Sequence, residues 1–536
     1  MLRPRVPSPR RKAAPVQVDH IVVGAGSAGC AVAARLAEDP SRSVLLVEAG
    51  GSDLNVGVRA PVAFGSQFRG RGDWGFESEP EPSLDGRRIF EPRGKVLGGT
   101  SSMNAMVWVR GAASDYDGWD LDGWSWEECR AVFERIERRH DLHGPRASGG
   151  PVRLSTLRSP DDLSERFIRA TEATGIARRG DLTAGEREGV GYPATTTWNG
   201  RRWNAARAYL GHRPPNLHVA TGSHASRIVL QDGRAVGVEL LRRGRRTIVR
   251  SRGDIVLSAG AFGTPHLLQL SGIGDPEHLR EVGISPTVDA PRVGLGLAEH
   301  ALAAMNWELA DGHPGLSDAA NPKWLAPWLV AGRGPLASNV IEAVAHLRSR
   351  ADLDAPDLQL VMGPIFFWQH GAVEHPRPAM VIGPSYWEPK SRGSVLARSA
   401  DPLEAPAIRL NMLEHRDDVE ALTRGVRIAR EIVAQQPLSD AVRAELHPGP
   451  EVESDAQIEA WLRSNAEHTY HPACSAAMGA DDDAVLDERL RVRGVDGLRV
   501  ADASALPRIT HANTHAPATL LGERCARFVL DLPVPR

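Results

Sequence analysis

Residues His20 to Glu48 read HIVVGAGSAGCAVAARLAEDPSRSVLLVE, and this stretch decides the fold. His20 to Val23 is a short apolar run of the kind a buried strand shows. Gly24-Ala25-Gly26-Ser27-Ala28-Gly29 follows at once as GxGxxG, Gly29 to Glu38 fits a helix packed on a sheet, and Val44 to Val47 is a second buried strand. Strand, glycine turn, helix and strand within this short span make a βαβ unit. Glycines here permit a tight turn and let the helix N-terminus approach a pyrophosphate. Glu48 ends the second strand, where a carboxylate accepts hydrogen bonds from an adenosine ribose. Gly24, Gly26, Ser27, Gly29 and Glu48 are therefore candidate dinucleotide ligands, and a glycine turn serving only packing is the alternative. FAD and NAD share such a site. The other glycine pairs, Gly70/Gly72 and Gly294/Gly296, form no second fingerprint of the kind needed to pass hydride from NADPH to a flavin.

Around this unit, 536 residues exceed what one core supports, so two or more packed units are expected. A net charge of −3 draws the chain to neither nucleic acid nor an anionic membrane, which leaves a small molecule as the expected partner. Four cysteines, at positions 30, 129, 474 and 525, form no CxxC, so neither a disulfide framework nor a metal site is expected. A reducing cytoplasm is the default. Residues 1–17 are basic and proline-rich without an apolar stretch, and read as a disordered tail rather than a signal peptide. No run of 18 apolar residues occurs, so no membrane span is expected.

Farther along, residues 53–93 read as irregular, and Glu127 to Arg139 as a surface helix capped by Ser125. Five strand-like runs from Leu217 to Leu257, with a turn at Asp232-Gly233, suggest a meander inserted between halves of the doubly wound core. Leu358 to Met362 and Ala379 to Ile382 suit a second sheet, and helices are expected near Asp417–Ala434 and Asp455–Ser464.

Two long segments carry a family signal. Gly94 to Gly111, GKVLGGTSSMNAMVWVRG, resembles the first signature of the glucose–methanol–choline (GMC) flavin oxidoreductases, and Gly260 to Gly274, GAFGTPHLLQLSGIG, resembles the second. The tail, with HTYHPACSAAMG, GLRVADASALP and NTHAPATLLGERCA, is similar to that family's C-terminal block. The resemblance implies an α/β fold: a Rossmann-like FAD-binding domain with a second, sheet-based α+β substrate domain. It divides the chain into a tail (1–17), an FAD-binding N-terminal region (18–303), a mainly substrate-binding lobe (304–455) and a C-terminal region completing the FAD domain (456–530).

Gly98 and Gly99 let backbone amides approach a cofactor, and Ser101, Ser102 and Asn104 offer polar contacts. The resemblance runs this loop, including Thr100, along the flavin, with Asn104 and Ala105 near the reactive ring. Relatives that tether flavin have a histidine where this chain has Met103, so noncovalent FAD is expected. The resemblance also places Ala225 beside the adenine and Pro517 near the pyrimidine end. Asp502, followed by Ala503, ends a predicted strand and is read as a ligand of the ribityl or diphosphate region, with a helix N-cap as the alternative.

His471, in TYHPA, matches the family's catalytic histidine, a residue type suited to taking a hydroxyl proton near neutral pH. Its partner falls on Asn513, with His515 as second candidate because this chain reads NTHAP where relatives read NTNAP. Together these residues imply oxidation of a primary or secondary alcohol by hydride transfer to flavin N5, with oxygen or a carrier as electron acceptor. A hydroxynitrile-lyase-like flavoprotein and a choline enzyme are the alternatives. Trp324, Trp328, Phe366, Phe367, Trp368 and Tyr470 are candidate pocket walls, and Glu342 a weak candidate counter-charge for a quaternary ammonium.

Overall fold

In the computed structural model, residues 16–140, 149–185 and 187–533 are described. Five parallel strands form the nucleotide-side sheet in the order Leu217–Thr221, Val44–Glu48, His20–Val23, Ile255–Leu257 and Leu498–Val500. The near-continuous apolar sequences of the three central strands reflect burial on both faces. The helix Ser27–Leu36 leaves the glycine turn and packs on the C-terminal helix His515–Val529. Contact there is close enough that a Cβ on Gly522 would lie 2.5 Å from the Ala28 carbonyl oxygen.

The expected five-strand meander is corrected to three. His224–Gln231, Arg234–Arg242 and Arg245–Ser251 pair antiparallel, while LHVAT and the run at Ile255 join the parallel sheet instead. Apolar runs look alike in a hairpin and in a crossover, so sequence alone could not separate them. The Asp232-Gly233 turn has φ of 50° and 76°, the paired positive values of a type I′ hairpin.

Most of the expected tail, residues 1–15, lies outside the described residues. Gln17, assigned to that tail, instead begins a short strand, Gln17–Val18, paired with Arg245–Ser251. The helix predicted to reach Arg139 ends at Ile136. Ser125 caps it, with Glu128 closing a capping box. The chain then extends as Glu137–His140, because buried Glu137 accepts from Trp108 Nε1 at 2.9 Å and from Arg110 Nε at 2.8 Å.

A second, antiparallel sheet runs Val442–His447, Met305–Leu309, Ala379–Tyr386, Leu358–Gly363, Ala343–Leu347 and Gly189–Gly191. Its side chains alternate. Leu360, Met362, Met380 and Ile382 enter the core beneath the helix Arg416–Val433, whereas Gln359, Val361, Val381 and Gly383 face a large cavity between the two sheets. Among the described residues, no helix is long and apolar enough to cross a membrane.

Candidate active site

The cavity holds about 610 Å³ and extends from the glycine turn to His471. At the nucleotide end each glycine has a distinct task. Gly24 has φ of +100°, and a Cβ there would lie 2.2 Å from the Ser258 carbonyl oxygen; one on Gly29 would lie 1.9 Å from the Gly24 oxygen. Those two hold strand against helix. Gly26 lines the cavity, and a Cβ on it would meet no protein atom closer than 4.0 Å, so its missing side chain leaves room for a ligand. Gly98 N donates to Ala25 O at 2.8 Å, and a Cβ on Gly99 (φ +52°) would lie 2.7 Å from Gly26 Cα. The second glycine loop is thus seated on the first.

Ser27, Glu48, Gly99, Thr100, Met103, Asn104, Ala105, Ala225 and Ala503 also line the cavity. Gly29, Gly98 and Pro517 do not: the first two pack the turns, and Pro517 is buried in the first turn of the C-terminal helix, next to cavity-lining Ala518. Glu48 accepts from Ala25 N (3.0 Å) and Gly50 N (2.7 Å), and burial pushes its pKa up to about 7. Asp502 lines the cavity with both carboxylate oxygens engaged. It accepts from Gly260 N at 2.9 Å, Thr264 Oγ1 at 2.6 Å, and Ser504 N at 2.8 Å. The capping alternative describes one of its carboxylate oxygens, which accepts from Ser504 N, while Asp502 also stands in the cavity wall.

At the far end, Asn513 Nδ2 lies 3.2 Å from His471 Nε2 and 3.5 Å from Gln359 Oε1, while Asn513 Oδ1 is buried without a partner. His471 Nδ1 lies 2.8 Å from Thr469 Oγ1 and 3.0 Å from His300 Nδ1. Burial, then the neighbouring His300, Arg93 and His468, holds the His471 pKa well below the usual imidazole range. His515 also lines the cavity, its Nδ1 3.5 Å from Asn104 Nδ2 and its ring edge-on to Trp108; burial lowers its pKa to about 4. The structure therefore brings His471 and Asn513 into contact and turns His515 toward the flavin-loop side. Asn104 is itself fixed, its Oδ1 accepting from buried Arg202 at 2.8 Å.

Of the aromatic candidates only Phe367 and Tyr470 line the cavity, joined by Phe64 and Phe68. Trp328 donates to Gly200 O, Trp324 to Asp318, and Trp368 stacks on His447. Glu342 accepts from Asp161 N, Ser164 and Ser338, so it is a buried structural carboxylate and not a counter-charge. Cys474 is buried, and burial raises its thiol pKa to about 12, as for an inert packing residue.

Sequence reasoning missed Glu299, His300 and Gln359. Glu299 Oε1 accepts from both His471 N (2.7 Å) and His300 N (2.9 Å). The available signal was an adjacent Glu-His pair interrupting an otherwise apolar run, GLGLAEHALAAM. Glu91, Glu299 and His468 also cluster at metal-ligand spacing. Yet His468 Nδ1 accepts from Tyr470 N at 3.0 Å and its Nε2 meets Phe90 O at 3.0 Å, so neither ring nitrogen is free. Arg93, 2.7 Å from Glu91 and 3.8 Å from Glu299, supplies the cation. The cluster is an ion-pair network beneath His471.

The N-terminal part of the GMC oxidoreductase family matches residues 18–302 and its C-terminal part residues 389–522. An uncharacterised GMC-type oxidoreductase of Mycobacterium tuberculosis is 41% identical over 526 residues, covering 96% of this chain and 99% of that protein. An oxygen-dependent choline dehydrogenase of Rhizobium rhizogenes is 38% identical over 536 residues, covering 97% and 96%. Among solved structures, formate oxidase superposes with a TM-score of 0.91 at 26% identity, covering 97% of this chain and 99% of that one. Pyridoxine 4-oxidase from Mesorbium loti gives 0.85 at 29%, covering 95% and 98%.

Proposed function

This chain belongs to the GMC oxidoreductase family, and from that premise we propose that it oxidises a primary or secondary alcohol to an aldehyde or ketone, using FAD held without a covalent link. The observation that carries the reading is the 3.2 Å contact between Asn513 and His471 at one end of a cavity whose other end is the dinucleotide turn. Gly24, Gly26, Ser27 and Glu48 would hold the adenosine and diphosphate, with Ala225 at the adenine and the loop Gly99 to Ala105 along the ring system. The open space at Gly26 and the unpartnered Asn513 Oδ1 fit an occupant of this size and polarity. FAD, when bound, supplies the acceptor for a hydride from the carbinol carbon.

The protein's share is proton management and placement. His471 is neutral, and its Nε2 lone pair, which Asn513 Nδ2 meets at 3.2 Å, is the one the substrate hydroxyl proton would engage in place of that contact. Asn513 Nδ2 orients the oxygen as negative charge develops on it, and in the buried site that donor is worth more than in water. Gln359 and the apolar face of Val361, Val381 and Leu302 exclude solvent around them. Residues 304–455 are assigned mainly to the substrate lobe, and 18–303 with 456–530 to the FAD-binding part. Met103, buried and lining the cavity, offers a thioether and no nucleophile for a tether. Free, buried cysteines suit a cytoplasmic enzyme.

The test is a panel of neutral alcohols and choline added anaerobically to purified protein. Bleaching of the oxidised-flavin band is expected, as is release of FAD into the supernatant on acid precipitation. Product formation with the flavin left oxidised would favour a hydroxynitrile-lyase-like reaction, and flavin retained in the precipitate would overturn noncovalent binding. Parallel assays with oxygen and a dye acceptor separate oxidase from dehydrogenase.

A further inference from the structure

We propose that His300 is the positioning residue that fixes His471 in the tautomer a base requires, an inference that rests on the alcohol oxidation proposed above. The two Nδ1 atoms stand 3.0 Å apart with ring planes at 86°, and a single proton joins them. Other contacts decide which ring carries it. With the Gln359 amide placed so that Nε2 meets His346 Nε2 at 3.3 Å, the assignment in which His346 Nε2 accepts, Gln359 Oε1 accepts from Asn513 Nδ2 at 3.5 Å. That orients the Asn513 amide with its nitrogen toward His471 Nε2, so Nε2 accepts and the His471 proton sits on Nδ1. The Thr469 hydroxyl hydrogen is directed at His300 O (3.4 Å), so its oxygen accepts from the same Nδ1–H. His300 is thereby left as an acceptor.

The rest of the site preserves that role. His300 is completely buried, and burial lowers its pKa to about 3, which keeps the ring neutral near neutral pH. Glu299 Oε1 binds the main-chain N–H of both histidines, which sets their backbones in register independently of the rings. When substrate is oxidised, its O–H bond breaks and an Nε2–H bond forms on His471. The Nδ1–H bond stays intact and donates to His300, which stabilises the imidazolium without taking its proton. The hydride would leave the carbinol carbon with its electron pair, and FAD, when bound, would supply the two-electron acceptor.

Three FAD-loaded proteins test this: wild type, His300→Leu and His300→Asn, compared by anaerobic flavin reduction with the best alcohol and by ¹⁵N NMR of histidine rings, the His471 signals being assigned from a His471→Ala spectrum. FAD content and melting temperature report folding. A packing role predicts that the apolar Leu variant outperforms Asn in this buried place. The positioning role predicts the reverse: His300→Leu reduces flavin about 10-fold more slowly, the loss expected for one hydrogen bond, and His300→Asn, with Oδ1 near the old Nδ1 position, recovers to within about 3-fold of wild type. In wild type His471 should be protonated at Nδ1 and bare at Nε2, with that preference lost in His300→Leu. An Nε2-protonated His471 in wild type, or equal rates for Leu and Asn, overturns the inference. A wild-type flavin that no alcohol reduces, with His471 still protonated at Nδ1, overturns the functional reading and leaves the tautomer assignment standing.

Discussion

At the nucleotide end of the cavity the working surface is main chain: Gly24, Gly26 and Gly99 bring backbone against backbone, and the acidic side chain of Glu48 braces the turn through Ala25 and Gly50. At the reaction end the surface is side chain. His471, Asn513, Gln359 and His300 arrive from four separate segments and meet in a buried network whose histidines are kept neutral. The first arrangement fixes shape by excluding Cβ atoms and tolerates almost no substitution. The second fixes proton positions, and its parts can be removed singly without closing the cavity. Binding and chemistry should therefore fail separately when each end is altered.

The largest effect is expected at the nucleotide end, where two glycines three residues apart, Gly26 and Gly29, have opposite tasks. Gly26→Val should fold and lose FAD altogether, because Gly26 lines the cavity and a Cβ there has no protein atom nearer than 4.0 Å, so the added bulk takes ligand space. Gly29→Val should fail to accumulate as folded protein, since even a Cβ would sit 1.9 Å from Gly24 O. Flavin-to-protein ratio and thermal melting separate the two outcomes. A Gly26→Val protein with full flavin content would remove the basis for placing the diphosphate there.

At the reaction end the variants should keep their flavin and differ in rate. His471→Ala removes the base, and anaerobic flavin reduction should slow by about 10²–10⁴-fold. Asn513→Ala removes one donor and should cost less, about 10-fold. His515→Ala should change the rate by no more than about 3-fold, because His515 faces Asn104 and Trp108, while Asn513 is the residue bonded to His471. If His515→Ala cripples reduction while Asn513→Ala leaves it intact, the pairing is wrong and the reaction end uses two cavity histidines.

The same contrast explains what could be read from sequence. The βαβ unit was legible because strand, glycines, helix and Glu48 are consecutive and their spacing is set by local sterics. Residues that meet across the fold were not. Asp502 reads as a strand-end acid, and its partners Gly260 and Thr264, 242 and 238 residues away in sequence, come beside it only in the fold. Glu137 reads as helix until its buried partners, Trp108 and Arg110, draw the chain into a strand. His471 and Asn513 were found only through family motifs, and His300 carried no motif at all, since no periodicity links it to a ring 171 residues away. Strand type was ambiguous for a different reason: LHVAT has the same apolar pattern whether it pairs with its neighbour or crosses to the parallel sheet.

The smallest effect concerns how the reaction end is anchored. His511, two residues before Asn513, bonds Asp115 Oδ1 through Nδ1 at 2.6 Å and Glu388 Oε1 through Nε2 at 2.8 Å, and its main-chain N–H reaches Asp115 Oδ2 at 2.9 Å. Burial opposes charge on this ring, but Asp115 and then Glu388 outweigh it and raise the pKa to about 10, making His511 the one histidine of the site held as a cation. A pKa raised on folding gives stability that is complete below the unfolded value near ~6.5 and is lost as pH rises through about 10. Half of Glu388 is exposed, so screening reduces its share, and the total should be at most a few kcal/mol, or about a few degrees in melting temperature. The melting-temperature advantage of wild type over His511→Gln should be largest near ~pH 6 and shrink steadily toward ~pH 10. Because His511 tethers the turn that carries Asn513, the variant should also reduce flavin slightly more slowly at low pH while retaining its FAD. A melting-temperature difference that stays constant over that pH range would mean the ring is neutral in the folded protein and the clamp acts through shape alone.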